Sequence, residues 1–236
     1  MSPITSAVAF STLLQNFFHQ RLISERNASG ETVASYRDAF RLLIPFAARK
    51  TRKEPSDLTL SALDAPLILE FLDWIERERG NSTRTRNARL AAIRSFMHYA
   101  SFKDPTCLPI VERVRAIPTK RSDKPLLDFL SRDEMQAILD APDRSRWSGH
   151  RDHVLFATLY NTGARVSEIV RLRVGDLFLD HRHAVMIRGK GRKERSVPLW
   201  KDTVARLKEW SSRIDQAPNA PVFPNRAGKS LSRRGV

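Results

Sequence analysis

Asn161-Thr162-Gly163-Ala164-Arg165-Val166-Ser167-Glu168-Ile169-Val170-Arg171-Leu172-Arg173-Val174-Gly175-Asp176-Leu177 is the stretch from which the rest of the chain can be read. The apolar spacing from His150 to Asn161 predicts a helix, and Gly163 accepts the backbone that ends one. A further helix is expected to open at Arg165 and run through Arg171. Glu168, three positions after Arg165, shares its face and can supply a carboxylate that orients the guanidinium. On physical grounds alone an ordinary surface ion pair accounts for the same pattern.

Downstream, His183 to Arg188 and Glu194 to Pro198 read as strands joined by Gly189-Lys190-Gly191-Arg192-Lys193. Two glycines permit the tight turn of a hairpin. Arg188, Lys190, Arg192, Lys193 and Arg195 crowd around that turn, and the glycines beside Lys190 let the backbone approach another backbone and project the lysine into a groove. The segment lacks the spacing of a nucleotide-binding P-loop; a basic surface hairpin is the plainer alternative. A last helix is expected over Lys201 to Ile214, followed by a loop from Pro218 to Lys229. Upstream, Ser131 and Glu134 have capping-box spacing, with Leu130 placed to staple onto Met135.

The first half reads as four amphipathic helices: Val8 to Glu25, Gly30 to Lys50 with Pro45 able to kink or shorten it, one after the N-cap Asp64, and one from near Ser82. Pro105, Pro109, Pro118 and Pro125 then mark an interdomain stretch. These signals divide the chain into a helical domain over 1–117, a linker over 118–125 and a second domain over 126–236. The fourth helix opens with Thr83, Arg84, Arg86 and Arg89, the last two read as sharing a face opposite Leu90 and Ile93. A helix N-terminus with hydroxyls and guanidiniums suits a DNA backbone, while a solvated Arg-rich face is the alternative.

Composition narrows the class. Forty-one Lys and Arg against 26 Asp and Glu give a formal charge of +15 over 236 residues, and arginine, with its forked donors, dominates the basic set. The excess lies in both halves, the pattern expected of a clamp around a polyanion. No apolar run approaches the ~20 residues of a membrane span, the N-terminus lacks the pattern of a secretory signal, and one cysteine, Cys107, excludes an internal disulfide framework. A cytoplasmic protein is expected. His150 with His153, and His181 with His183, lack a third convergent metal ligand and read as surface histidines.

The run T-G-A-R-V-S-E-I-V-R-L-R-V-G-D-L, followed in order by G-K-G-R-K-E-R-S-V-P-L, resembles the tyrosine recombinase or phage integrase family. Arg151-Asp152 and Val222-Phe223-Pro224 sit where that family has such residues, and Thr32, Tyr36 and the Ser82 to Tyr99 helix resemble its core-binding domain more loosely. The resemblance implies a mainly α fold with a small β-hairpin or sheet: a helical, SAM-like core-binding bundle followed by part of an α+β catalytic domain. It implies strand exchange through a 3′-phosphotyrosyl intermediate on double-stranded DNA, with no metal and no nucleotide cofactor, by a tetramer assembled on DNA. Arg165 would grip the scissile phosphate, Glu168 would support it, and Lys190 would protonate the departing 5′ oxygen. Thr83, Arg84, Arg86, Arg89, Arg188, Arg192 and Lys193 are the expected DNA contacts.

The family's H-x-x-R box and tyrosine nucleophile do not follow. Twelve residues succeed Pro224 and contain neither His nor Tyr, while Tyr36, Tyr99 and Tyr160 all precede Arg165. The expectation is a C-terminally truncated recombinase, monomeric off DNA, that binds duplex DNA without cleaving it. A non-catalytic regulator occupying recombination sites and a basic RNA-binding protein are the alternatives.

Overall fold

Residues 9–122, 128–189, 191, 193–233 and 235–236 are described by a computed structural model. The chain forms two compact units, Met1–Pro125 and Leu126–Val236.

In the first unit α1 (Phe10–Asn16) runs directly into a π-helical segment, Phe17–Glu25. Helix α2 (Gly30–Thr51) starts at Ser29, whose hydroxyl accepts from the Thr32 N–H, and ends at Arg52 in the left-handed region. It passes through Pro45 without stopping, because buried Leu43, Phe46 and Ala47 hold the turns on either side in the core. Asp64 caps α3 (Ala65–Arg77), and Ser82 caps α4 (Thr83–Lys103). The core is aromatic: Phe17 contacts Phe40, Phe96, Tyr36 and Tyr99, and Phe10 packs edge-on to Phe96.

A fifth helix was not expected. α5 (Leu108–Ala116) lies in the proline-rich stretch and buries Val111 and Val114. Pro109 occupies its first turn, where the missing N–H costs nothing, so the proline that suggested a loop is an initiator. Arg113 forks onto Asp64 at 3.0 and 2.8 Å and ties α5 to the start of α3. The expected exposed linker is partly fastened as well: the Pro118 carbonyl accepts from Arg86, and the Lys120 backbone exchanges two hydrogen bonds with the Asn87 amide.

In the second unit the capping box at Ser131 and Glu134 forms and opens α6 (Arg132–Asp140), while Leu130, the proposed staple, stands exposed. Helix α7 (Trp147–Thr162) starts three residues earlier than the spacing suggested and ends at Gly163. Helix α8 (Val166–Ile169) is one turn, shorter than expected. The chain leaves it because the Leu172 carbonyl accepts from the Val222 N–H, pulling the backbone into a bridge with the segment after the last helix. A strand the sequence reading missed, β1 (Leu177–Phe178), then pairs with β2 (Ala184–Arg188), which pairs with β3 (Glu194–Pro198) in an antiparallel sheet. Helix α9 (Lys201–Ser211) buries Val204, Leu207 and Trp210 against Val185, Ile187 and Phe223. The mainly helical class with a small sheet is the observed one. No helix among the described residues is long and apolar enough to cross a membrane.

Candidate active site and nucleic-acid interface

Gly163, at φ 58°, closes α7 with its N–H on the Leu159 carbonyl, and two residues later Arg165 stands as N-cap of α8. That short turn places Glu168 beneath Arg165. One carboxylate oxygen accepts the Arg165 guanidinium at 2.9 Å, and the other accepts the Arg165 backbone N–H at 3.1 Å and the Arg195 guanidinium at 2.7 Å. Glu168 is 5% exposed, whereas the side chain of Arg165 is 71% exposed. The Arg195 hydrogen bond chiefly, then those from Arg165, hold the Glu168 carboxyl at about 2 against the opposing effect of burial. It is therefore an anion at neutral pH, and two cations on one anion leave a positive charge facing solvent.

The hairpin supplies the other wall. The Gly189 N–H donates to the Lys193 carbonyl at 2.7 Å, closing the turn, and Gly191 takes φ 75°, which favours glycine. Lys193 is exposed. Lys190 and Arg192 lie outside the described residues. Arg188, expected on DNA, is committed within the unit: Nη1 donates to Asp176 at 2.6 Å and Nε to Glu194 at 2.9 Å. A cleft of about 430 Å³ lies between Glu168, Leu172, Asp176, Arg188, Gly189 and Glu194.

Arg151 and Pro224, quoted from separate parts of the sequence, meet: buried Arg151 donates to the Pro224 carbonyl at 3.0 Å and pairs with Asp152. His150 stacks on Trp210, and His153 bonds the Leu139 carbonyl and Arg206. Burial foremost, with the charge of Arg206 adding to it, lowers the His153 pKa. These two are buried packing residues rather than the surface histidines expected. Tyr36 and Tyr99 belong to the aromatic core of the first unit, while Tyr160 is 47% exposed and edge-on to Trp200.

The fourth helix of the first unit needs a correction. Arg86 is 3% exposed; its guanidinium donates to Asn87 and the Pro118 carbonyl and lies 3.6 Å from Glu76. It precedes Leu90 by one turn, so it shares the buried face instead of opposing it. Arg89 is half-buried on Asn81, and burial lowers its pKa. Arg84 is exposed and Thr83 half-buried at the helix start.

Two residues carrying this geometry, Asp176 and Arg195, are not among the expected catalytic or DNA-contact residues. For Asp176 a signal was available: R-V-G-D at 173–176 repeats the spacing of R-V-S-E at 165–168.

Residues 128–236 match the phage integrase family, and 15–103 match the phage integrase N-terminal SAM-like domain. An integrase/recombinase-named protein of Sinorhizobium fredii, y4rC, is 46% identical over 233 residues, spanning 99% of this chain and 70% of that relative. The chain belongs to the phage integrase family of tyrosine recombinases. The tyrosine recombinase XerD of Staphylococcus epidermidis is 32% identical over 223 residues, 90% of this chain and 70% of XerD. Among solved structures, XerH bound to its difH substrate has a TM-score of 0.64 at 24% identity, covering 88% of this chain and 60% of XerH. A lambda integrase dimer bound to a core site has a TM-score of 0.62 at 16% identity, covering 96% and 77%. These two likenesses are of fold. Both family matches thus fall on this integrase-family chain, which spans 70% of the length of y4rC and of XerD.

Proposed function

We propose that this chain grips duplex DNA as a site-specific recombinase does, with Arg165 on the scissile phosphate, and that these 236 residues make no covalent bond to DNA. The observation that carries the reading is the buried, ionised Glu168 beneath a solvent-facing Arg165. A guanidinium fixed at one arm and open at the other is preorganised for non-bridging phosphate oxygens, whose charge grows in the transition state. Glu168 orients it from the side chain and from the backbone of the same residue. By its match to the family's hairpin lysine, Lys190 is the general acid for the departing 5′ oxygen.

In this reading 1–117 is a core-binding domain, 118–125 the linker and 126–236 part of the catalytic domain. Thr83 and Arg84 at the start of α4, with Arg192 and Lys193 of the hairpin, hold the backbone. The relatives XerH and lambda integrase, in structures described as bound to difH and to a core site, support DNA as the partner. Covalent attack needs a tyrosine beside the gripped phosphate. Tyr36 and Tyr99 are packed in the helical core, and Tyr160 stands against Trp200.

The test combines affinity for duplex DNA across salt with a nicked suicide substrate. The expected result is salt-dependent binding that favours duplex DNA over RNA, a monomer without DNA, and no protein–DNA adduct on denaturing gels. An adduct would contradict the non-covalent reading, and preference for RNA the choice of partner.

A further inference from the structure

The local device at Arg165 is built twice. Arg165-Val166-Ser167-Glu168 and Arg173-Val174-Gly175-Asp176 each start a short helical turn whose fourth residue is a carboxylate 5% exposed. Each carboxylate accepts the backbone N–H of its own arginine, Glu168 from Arg165 at 3.1 Å and Asp176 from Arg173 at 2.9 Å. Each has a second oxygen or lone pair left, and each gives it to the same hairpin. Arg195 of β3 reaches Glu168 at 2.7 Å, and Arg188 of β2 reaches Asp176 at 2.6 Å. The two arginines occupy adjacent rungs, since Arg188 pairs with Glu194 and Ile187 with Arg195. The neck of the hairpin fits the same arrangement: a Cβ on Gly189 would stand 3.1 Å from Glu168 Oε1 and 3.4 Å from Arg195 Nη1.

We propose that Arg188 and Arg195 are positioning residues, each fastening one strand of the hairpin to a buried carboxylate, so that Asp176 and Glu168 together fix the hairpin's pose beside Arg165. Glu168 then serves both walls of the site, orienting Arg165 and holding β3, while Asp176 holds β2. The hairpin's described basic residues divide accordingly: Arg188 and Arg195 are used inside the unit, and Lys193 is exposed. A charge-assisted bond to a buried carboxylate outweighs an exposed pair, because its loss strands a desolvated charge.

The proposal makes a prediction of unusual sign. Asp176→Asn removes a negative charge from a basic protein, and simple electrostatics would tighten DNA binding. A released hairpin would weaken it. The experiment uses the full 236-residue chain and compares wild type with Asp176→Asn, Arg188→Ala, Arg195→Ala and Arg165→Ala. Hydrogen exchange is followed on the peptides spanning 186–196, and affinity is measured for a duplex oligonucleotide. The Gly189 amide is expected to exchange about tenfold faster in Asp176→Asn, Arg188→Ala and Arg195→Ala, with α7 peptides unchanged and Arg165→Ala like wild type. Duplex affinity is expected to fall about threefold in Asp176→Asn despite the gained positive charge.

Unchanged Gly189 protection in the two hairpin-arginine variants would overturn the proposal. So would tighter DNA binding by Asp176→Asn, which would mean that its carboxylate merely restrains a phosphate-binding arginine. Should Asp176→Asn fail to fold, Arg188→Ala and Arg195→Ala, at partly exposed side chains, decide the exchange comparison. The DNA measurement rests on the function proposed above and the exchange measurement does not. If wild type fails to bind duplex DNA, that function falls and the hairpin's protection still judges the latches.

Discussion

Two helix starts in this chain are crowded with arginine and use it in opposite ways. At α4 the guanidinium of Arg86 is inside, 3% exposed, bonded to the Pro118 carbonyl and Asn87 and close to Glu76. At α8 the carboxylate is inside and the guanidinium is out, with Glu168 at 5% and Arg165 at 71% side-chain exposure. An inward guanidinium secures the fold, here by fastening the segment after α5 onto α4. An outward one held from beneath by an anion is available to a phosphate. Arginine content marks both regions equally; which member of the pair is buried separates them.

The largest effect expected from breaking this comparison is on stability. Arg86→Ala should lower the unfolding free energy of the first unit by about 3 kcal/mol, as removal of one member of a buried polar cluster does. Urea unfolding followed by tryptophan fluorescence would read it, and a loss within the ~0.5 kcal/mol typical of surface changes would put Arg86 back on the surface.

A second effect is in pH. The folded Glu168 carboxyl titrates at about 2 against an ordinary 4.5, so its contribution is full above about pH 4.5 and is lost as pH falls toward 2. Thermal midpoints of wild type and Glu168→Gln should therefore converge on acidification through that range. Parallel curves down to pH 2 would mean that the carboxylate is not held by Arg165 and Arg195.

Smallest is Arg84→Ala, at the exposed start of α4. Stability should stay within ~0.5 kcal/mol, while duplex affinity should fall by about two- to threefold. An affinity loss larger than that of Arg165→Ala would reverse the ranking of the two helix starts.

The helices, their caps and the hairpin could be read from spacing because apolar periodicity and capping pairs are local. Ser82, Asp64 and the Ser131–Glu134 box are examples. The misreadings share a physical cause. α5 was hidden because Pro109 marks a helix start as readily as a loop, and what distinguishes them is Val111 and Val114 finding a core. α8 is cut short by a hydrogen bond from Val222, fifty residues beyond Leu172. Arg86 was expected on the wrong face of α4, although its spacing to Leu90 already put it on the buried one. At the site, Arg165 and Glu168 were legible as an i, i+3 pair. Arg195 reaching Glu168 depends on strand register, which the sequence signals only through the hairpin, and Arg188 on Asp176 depends on two turns meeting in space.

The central claim is that Arg165, held by Glu168, grips a DNA phosphate. Its most direct test is the salt dependence of duplex binding by Arg165→Ala beside wild type. The account predicts weaker binding and a log–log slope shallower by about 0.9. Identical affinity and slope in the two proteins would contradict it.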